Sequence, residues 1–135
     1  MISPIVKVTT LIGSLITLGF GAWHLFVPQI WHWYRYFDPE ATELVAAVRA
    51  INFFFSLSLI FLGAVTILFA LRRPVVPFYL RVQLLAMALL WGLRVGMQLL
   101  YPQGTIDPLF RYGRLAAFVL TFLLFLVAYL GALRG

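Results

Sequence analysis

Apolar residues run almost unbroken over Ile5 to Val27, Val48 to Leu71, Phe78 to Leu100 and Tyr112 to Leu133. Each run is close to the twenty or so residues that a helix needs to cross a bilayer core. The pattern therefore predicts an all-α chain of four transmembrane helices. Prolines and acids punctuate the runs. "RRPVVP" at 72–77 supplies two prolines that stop one helix and open the next, and so short a turn predicts antiparallel neighbours. Asp38-Pro39-Glu40 and Asp107-Pro108 each place an acid before a proline, the order expected of an N-cap followed by the first helical position. The expected helices cover about 5–27, 39–71, 78–100 and 108–133 of a single membrane domain, 1–135. Residues 39 to 47 would then extend the second helix beyond the hydrocarbon or lie in the interface.

Composition agrees with the pattern. The chain has 135 residues, 64% of them hydrophobic and 10% charged, against roughly 25% charged in an ordinary soluble domain. A soluble domain this small exposes much of its surface, so a mean hydropathy of +1.02 would leave large apolar patches facing water. The expected solvent is lipid. The net charge of +6 is spread singly or in pairs between apolar runs, which argues for topology signals and against nucleic acid as a partner. With no cysteine, disulfides, zinc–thiolate sites and iron–sulfur clusters are excluded. The first apolar run has no basic leader and no small-x-small cleavage site, so it is expected to be retained as a helix.

Orientation follows from the basic residues. Lys7, Arg72, Arg73, Arg81 and Arg134 flank the N-terminus, the turn between the second and third helices and the C-terminus without an acid, whereas Asp38, Glu40, Glu43 and Asp107 lie at the opposite ends, mixed with Arg35, Arg111 and Arg114. Both termini are expected on the cytoplasmic side of a multi-pass protein of the cell (inner) membrane. The fold class is thus an integral-membrane antiparallel four-helix bundle, N-in and C-in. The stretch "GFGAWHLFVPQIWHWYRYFDPE", 19–40, holds both histidines and three of the four tryptophans. After Pro28, Trp31, Trp33, Tyr34, Tyr36 and Phe37 have the amphipathic rings that favour the headgroup region. An interfacial belt is the favoured expectation over an aromatic pocket mouth, with His32 reaching water or a headgroup.

Polar residues inside the spans carry more information, because an ionisable side chain at the helix centre costs about 2.5 to 3.5 kcal/mol on insertion scales. Gly13, Thr17, Gly21 and His24 share one face of the first helix, a small-xxx-small pattern that admits a close partner. Arg49, Asn52, Ser56 and Gly63 form a stripe on the second. The third carries Gln83, Met87, Arg94, Gln98 and Tyr101, with Trp91 at the edge, and the fourth carries Arg114, Thr121 and Ala128. All four helices bring hydrogen-bonding groups to the outer half. The expected result is an outward polar cavity built from His24, Arg49, Asn52, Arg94, Gln98 and Arg114.

Two uses of that cluster compete. Either the arginines pair with the acids and helix-end carbonyls, Arg111 with Asp107 at i, i+4 for one, or a guanidinium fork holds an anionic or carbonyl-bearing ligand such as a lipid phosphate or quinone oxygen while Asn52 and Gln98 orient it. Other chemistry finds little support. Two histidines eight residues apart around Pro28 do not face each other as haem ligands, and no metal-binding spacing occurs. No acid sits mid-span for a proton relay. No cofactor, metal or catalytic residue is therefore expected.

The length, the four-helix layout and "GAWHLFVP" at 21–28 resemble the small DoxX-like four-helix membrane proteins. Gly21, His24 and Pro28 carry the resemblance. It implies a partner or subunit role beside quinone-linked oxidoreductases, which some members of that superfamily have. Two functions are thus expected. A non-catalytic accessory subunit of a larger membrane complex, a redox complex among the candidates, or a homo-oligomer is favoured, since no nucleophile and base are paired. The alternative is an outward-facing site for an anionic lipid or quinone-like molecule.

Overall fold

A computed structural model of the chain describes residues 3–72, 77–103 and 107–134. Among the described residues there are four long helices, α1 (Pro4–His24), α3 (Thr42–Leu71), α4 (Pro77–Leu100) and α5 (Pro108–Leu133), and a short α2 (Val27–Ile30). A single 3-10 turn spans Trp33–Tyr36. The described part is all-helical, and the four long helices have the length and composition to cross a membrane. Arg73 and most of the "RRPVVP" turn lie outside the described residues.

Local sequence sets the helix ends. Ser3 accepts the Val6 N–H at 3.3 Å and Pro4 opens α1. The first span ends at His24, three residues before the expected Val27. Pro28 accounts for the break, since its ring nitrogen has no N–H to offer the carbonyl four residues back, at His24. That carbonyl instead accepts from Asn52 Nδ2 at 3.3 Å, so the break becomes a cross-link to α3.

The two Asp-Pro sequences behave differently. Asp107 accepts the Leu109 N–H at 2.9 Å, and α5 continues from Pro108 as expected. Asp38 makes the same local bond to the Glu40 N–H, also 2.9 Å, but α3 starts only at Thr42. The expected start at Pro39 is corrected: the Ala41 N–H returns to the Asp38 carbonyl and the Thr42 N–H to Glu40, closing a turn in place of a first helical turn. At 30 residues, α3 rises about 45 Å, more than a bilayer core of about 30 Å.

Helix α1 is the central element, packed on α3 along one side and on α5 along another. A Cβ on Gly21 would come within 2.8 Å of the Ser56 carbonyl oxygen, and one on Gly63 within 2.9 Å of the Ser14 carbonyl oxygen. Residue numbers rise along α1 as they fall along α3, and the two backbones approach as small-residue faces allow. The expected face of α1 is divided between partners, because Gly13 lies against the Phe125 ring of α5 while Gly21 faces α3. Helix α4 packs mainly on α5. Helices α3 and α4, expected as close neighbours, share only a thin seam, held in part by Gln83 Nε2 donating to Thr66 Oγ1 at 2.9 Å.

The core lies between α1, α4 and α5, around Val6, Leu84, Met87, Trp91, Phe118 and Phe125. Trp91, expected at the edge of its face, is 2% exposed and donates Nε1–H to Thr17 Oγ1 at 3.0 Å. At the end where α1 begins and α5 ends, Arg81 donates Nε–H to the Ala132 carbonyl at 2.7 Å, a cation on the C-terminal turn of α5.

Candidate functional site

The opposite end of the molecule, where α1 gives way to α2 and α4 leads towards α5, contains a cavity of about 400 Å³. Its wall includes His24, Asn52, Arg94 and Arg114, four of the six residues expected there. Helix geometry brings them together: the last residue of α1, the third turn of α3, the outgoing half of α4 and the second turn of α5 meet at one level.

His24 and Asn52 form one side. The Ser56 hydroxyl donates to the Asn52 carbonyl at 2.7 Å and lies 3.4 Å from His24 Nδ1. Rings at Phe20, Trp23, Trp33 and Phe55 surround the imidazole, Phe55 at 4.8 Å and edge-on. Asn52 uses Nδ2 on the His24 carbonyl, and its Oδ1 is buried with no hydrogen-bond partner among the described residues.

Arg94 and Arg114 form the other side. Arg94 donates Nη2–H to Gln103 Oε1 at 2.8 Å, and its guanidinium carbon stands 4.5 Å above the Phe118 ring. Phe118 is itself fixed edge-on by Phe20 at 5.5 Å. Arg114 is half-buried, with its guanidinium carbon 5.8 Å from the Phe110 ring, and donates to no acceptor among the described residues. No arginine forms a salt bridge with Asp38, Glu40, Glu43 or Asp107 among the described residues. The Arg111–Asp107 ion pair expected from i, i+4 spacing is absent: the Asp107 carboxylate is used on the Leu109 N–H, and the Arg111 guanidinium turns to Tyr112 at 5.8 Å.

Two expected residues stand outside the cavity wall. Arg49 is exposed, with its guanidinium carbon 4.7 Å from the Tyr34 ring. Gln98 is buried behind the wall and donates Nε2–H to the Gln103 carbonyl at 3.0 Å, with Oε1 unpartnered among the described residues. That bond, with the Arg94 bond to the same residue, anchors the stretch after α4. Gln103 is the member that sequence reasoning missed, because loop residues carry no periodic signal. The aromatic stretch divides its duties. Trp31 and Tyr36 are exposed, as a belt requires, whereas Trp33 closes over the cavity beside His24. His32 is exposed and left-handed at φ 50°.

A second cavity, of about 390 Å³, lies between α1 and α5. Phe20, Trp23 and Arg114 line both cavities. Apart from Arg114, the polar side chain in the second is Thr121, whose hydroxyl is already bonded to the Ala117 carbonyl at 2.8 Å.

No family model, curated protein or solved structure matches this chain.

Proposed function

We propose that this is a multi-pass protein of the cell membrane, an antiparallel four-helix bundle with both termini cytoplasmic, whose outward-facing cavity binds a small anionic or carbonyl-bearing molecule. A lipid headgroup or a quinone-like compound fits that chemistry. One observation carries the proposal: Arg94 and Arg114 line the same cavity, and neither is neutralised by a carboxylate among the described residues. Two guanidinium groups held together in a low-dielectric setting repel each other and lose hydration, and an anion between them relieves both costs. Hydrogen bonds to charged groups contribute about 1.5–3 kcal/mol each.

The remaining wall complements this role. Asn52 and His24 share the wall with the cations, and a carboxamide and an imidazole can each bond a hydroxyl on the ligand. The accessory-subunit role favoured by sequence needs polar residues that are consumed inside the protein. The threonine hydroxyls along the helices fit that description, whereas Arg94 spends one bond on Gln103 and Arg114 none among the described residues.

Gentle purification from the native membrane, followed by mass spectrometry of the lipid-retaining particle, tests the proposal. A stoichiometric anionic or quinone-like molecule is expected, lost in Arg94→Ala and in Arg114→Ala. A defined larger assembly that retains no such molecule would make the chain an accessory subunit instead.

A further inference from the structure

The two cavities meet at one residue pair and one cation. We propose that they are the head and tail compartments of a single site, so that the ligand is a long-chain amphiphile with a phosphate-type head that enters sideways from the lipid between α1 and α5. The inference rests on the anion-binding role of Arg94 and Arg114 and adds a chain to that anion.

Chemistry assigns the compartments. The first cavity gathers two cations and the polar side chains of His24 and Asn52. The second is walled by carbon, with Trp91 and Phe118 at its back, Ile16 on α1 and Gly113 and Ala117 on α5, and its one hydroxyl is satisfied internally. A phosphate would lose its hydration there without gaining a partner, whereas an alkyl chain exchanges one apolar contact for another. Arg114 sits at the junction. Its apolar stem suits the chain and its guanidinium the head, the division of labour long cationic side chains show at interfaces. The groove is open at Gly113, where an added Cβ would meet no heavy atom within 4 Å.

Because chain and bilayer are equally apolar, the groove adds little hydrophobic energy. Its contribution is a route that delivers a membrane-confined head to the cations without dragging its chain through water. The test compares phosphatidic acid with glycerol phosphate, the same head without chains, on protein in phosphatidylcholine nanodiscs. Gly113→Phe projects a ring into the groove. Gly19→Phe is the control, at an exposed helical position that also has no heavy atom within 4 Å and that lines neither cavity.

Phosphatidic acid is expected to bind the wild type and Gly19→Phe alike, and Gly113→Phe about tenfold more weakly, a cost near 1.4 kcal/mol. Glycerol phosphate should bind weakly and equally to all three. A phosphatidic acid with a photoreactive chain should label residues 109–121, and excess unlabelled lipid should suppress that labelling. Equal affinity for both probes with no effect of Gly113→Phe, or competed labelling on α3 in place of α5, would overturn the tail compartment and leave the arginine site standing. Binding of neither probe to the wild type would remove both.

Discussion

Arg81 and Arg94 lie on one helix at opposite ends, and they are treated in opposite ways. Arg81 has a fixed employer, the Ala132 carbonyl at 2.7 Å on the C-terminal turn of α5. Arg94 makes one bond to the loop residue Gln103 and otherwise stands over a ring, facing a cavity that also holds Arg114. The threonine hydroxyls near Arg81's half show the same thrift. Thr10, Thr17 and Thr66 each donate to a carbonyl of the preceding turn at 2.6–2.8 Å, and Thr17 and Thr66 then accept from Trp91 and Gln83. Ser14 Oγ is the exception in that half, buried without a partner, and at the aromatic end two larger groups, Asn52 Oδ1 and Gln98 Oε1, are likewise buried without partners among the described residues. A polar residue inside a span is therefore a weak sign of function. Polar capacity left over after local and cross-helix bonds are counted is a stronger one.

The contrast predicts that damage at the packed half changes stability and damage at the aromatic end changes binding. Phe125→Ala should have the largest effect, because a fully buried ring against Gly13 leaves a void worth about 3–5 kcal/mol. Unfolding in bicelles measures it, and a loss under about 1 kcal/mol would mean the core collapses around the gap. Gly63→Leu comes next, at about 1–3 kcal/mol, since its Cβ meets the Ser14 carbonyl oxygen at 2.9 Å. Unchanged unfolding would show that α1 and α3 can separate freely.

Arg94→Met should lower anion affinity by the about 1.5–3 kcal/mol of a charged hydrogen bond while leaving the unfolding temperature unchanged or raised. A falling temperature with intact affinity would reverse the assignment. Trp91→Phe should cost about 1 kcal/mol through the lost Thr17 bond, with head binding unaffected, and equal stability of the two proteins would count against that bond. The smallest effect belongs to Arg49→Gln, about 0.5–1 kcal/mol from the exposed contact with Tyr34. A large loss of anion binding there would show that the site extends to the loop.

The four long helices were legible because long apolar runs leave few alternatives to helix. Their ends were less so. Asp38 and Asp107 make the same bond to the residue two places on, yet only the second is followed at once by helix. What distinguishes them is tertiary, since the first turn of α5 rests Phe110 against Trp31 at 5.4 Å. The level at which the polar groups converge followed from helical spacing, and it brought His24, Asn52, Arg94 and Arg114 together. Spacing also placed Arg49 on the Asn52 stripe, but one turn higher its long side chain reaches out to Tyr34. Tyr101, on the Arg94 face by count, lies past the end of α4 and is 70% exposed. Nothing periodic announces Gln103, which binds Arg94 and Gln98 together from a loop.

The most direct measurement is the thermal unfolding of wild type and the double variant Arg94→Met/Arg114→Met in phosphatidylcholine nanodiscs, with and without phosphatidic acid. A ligand at a hundred times its dissociation constant stabilises the folded state by about 2.7 kcal/mol. The wild type should gain that stabilisation, and the double variant should start at least as stable and show no response. An equal response in both proteins, or none in the wild type, would contradict the assignment of Arg94 and Arg114 to an anion.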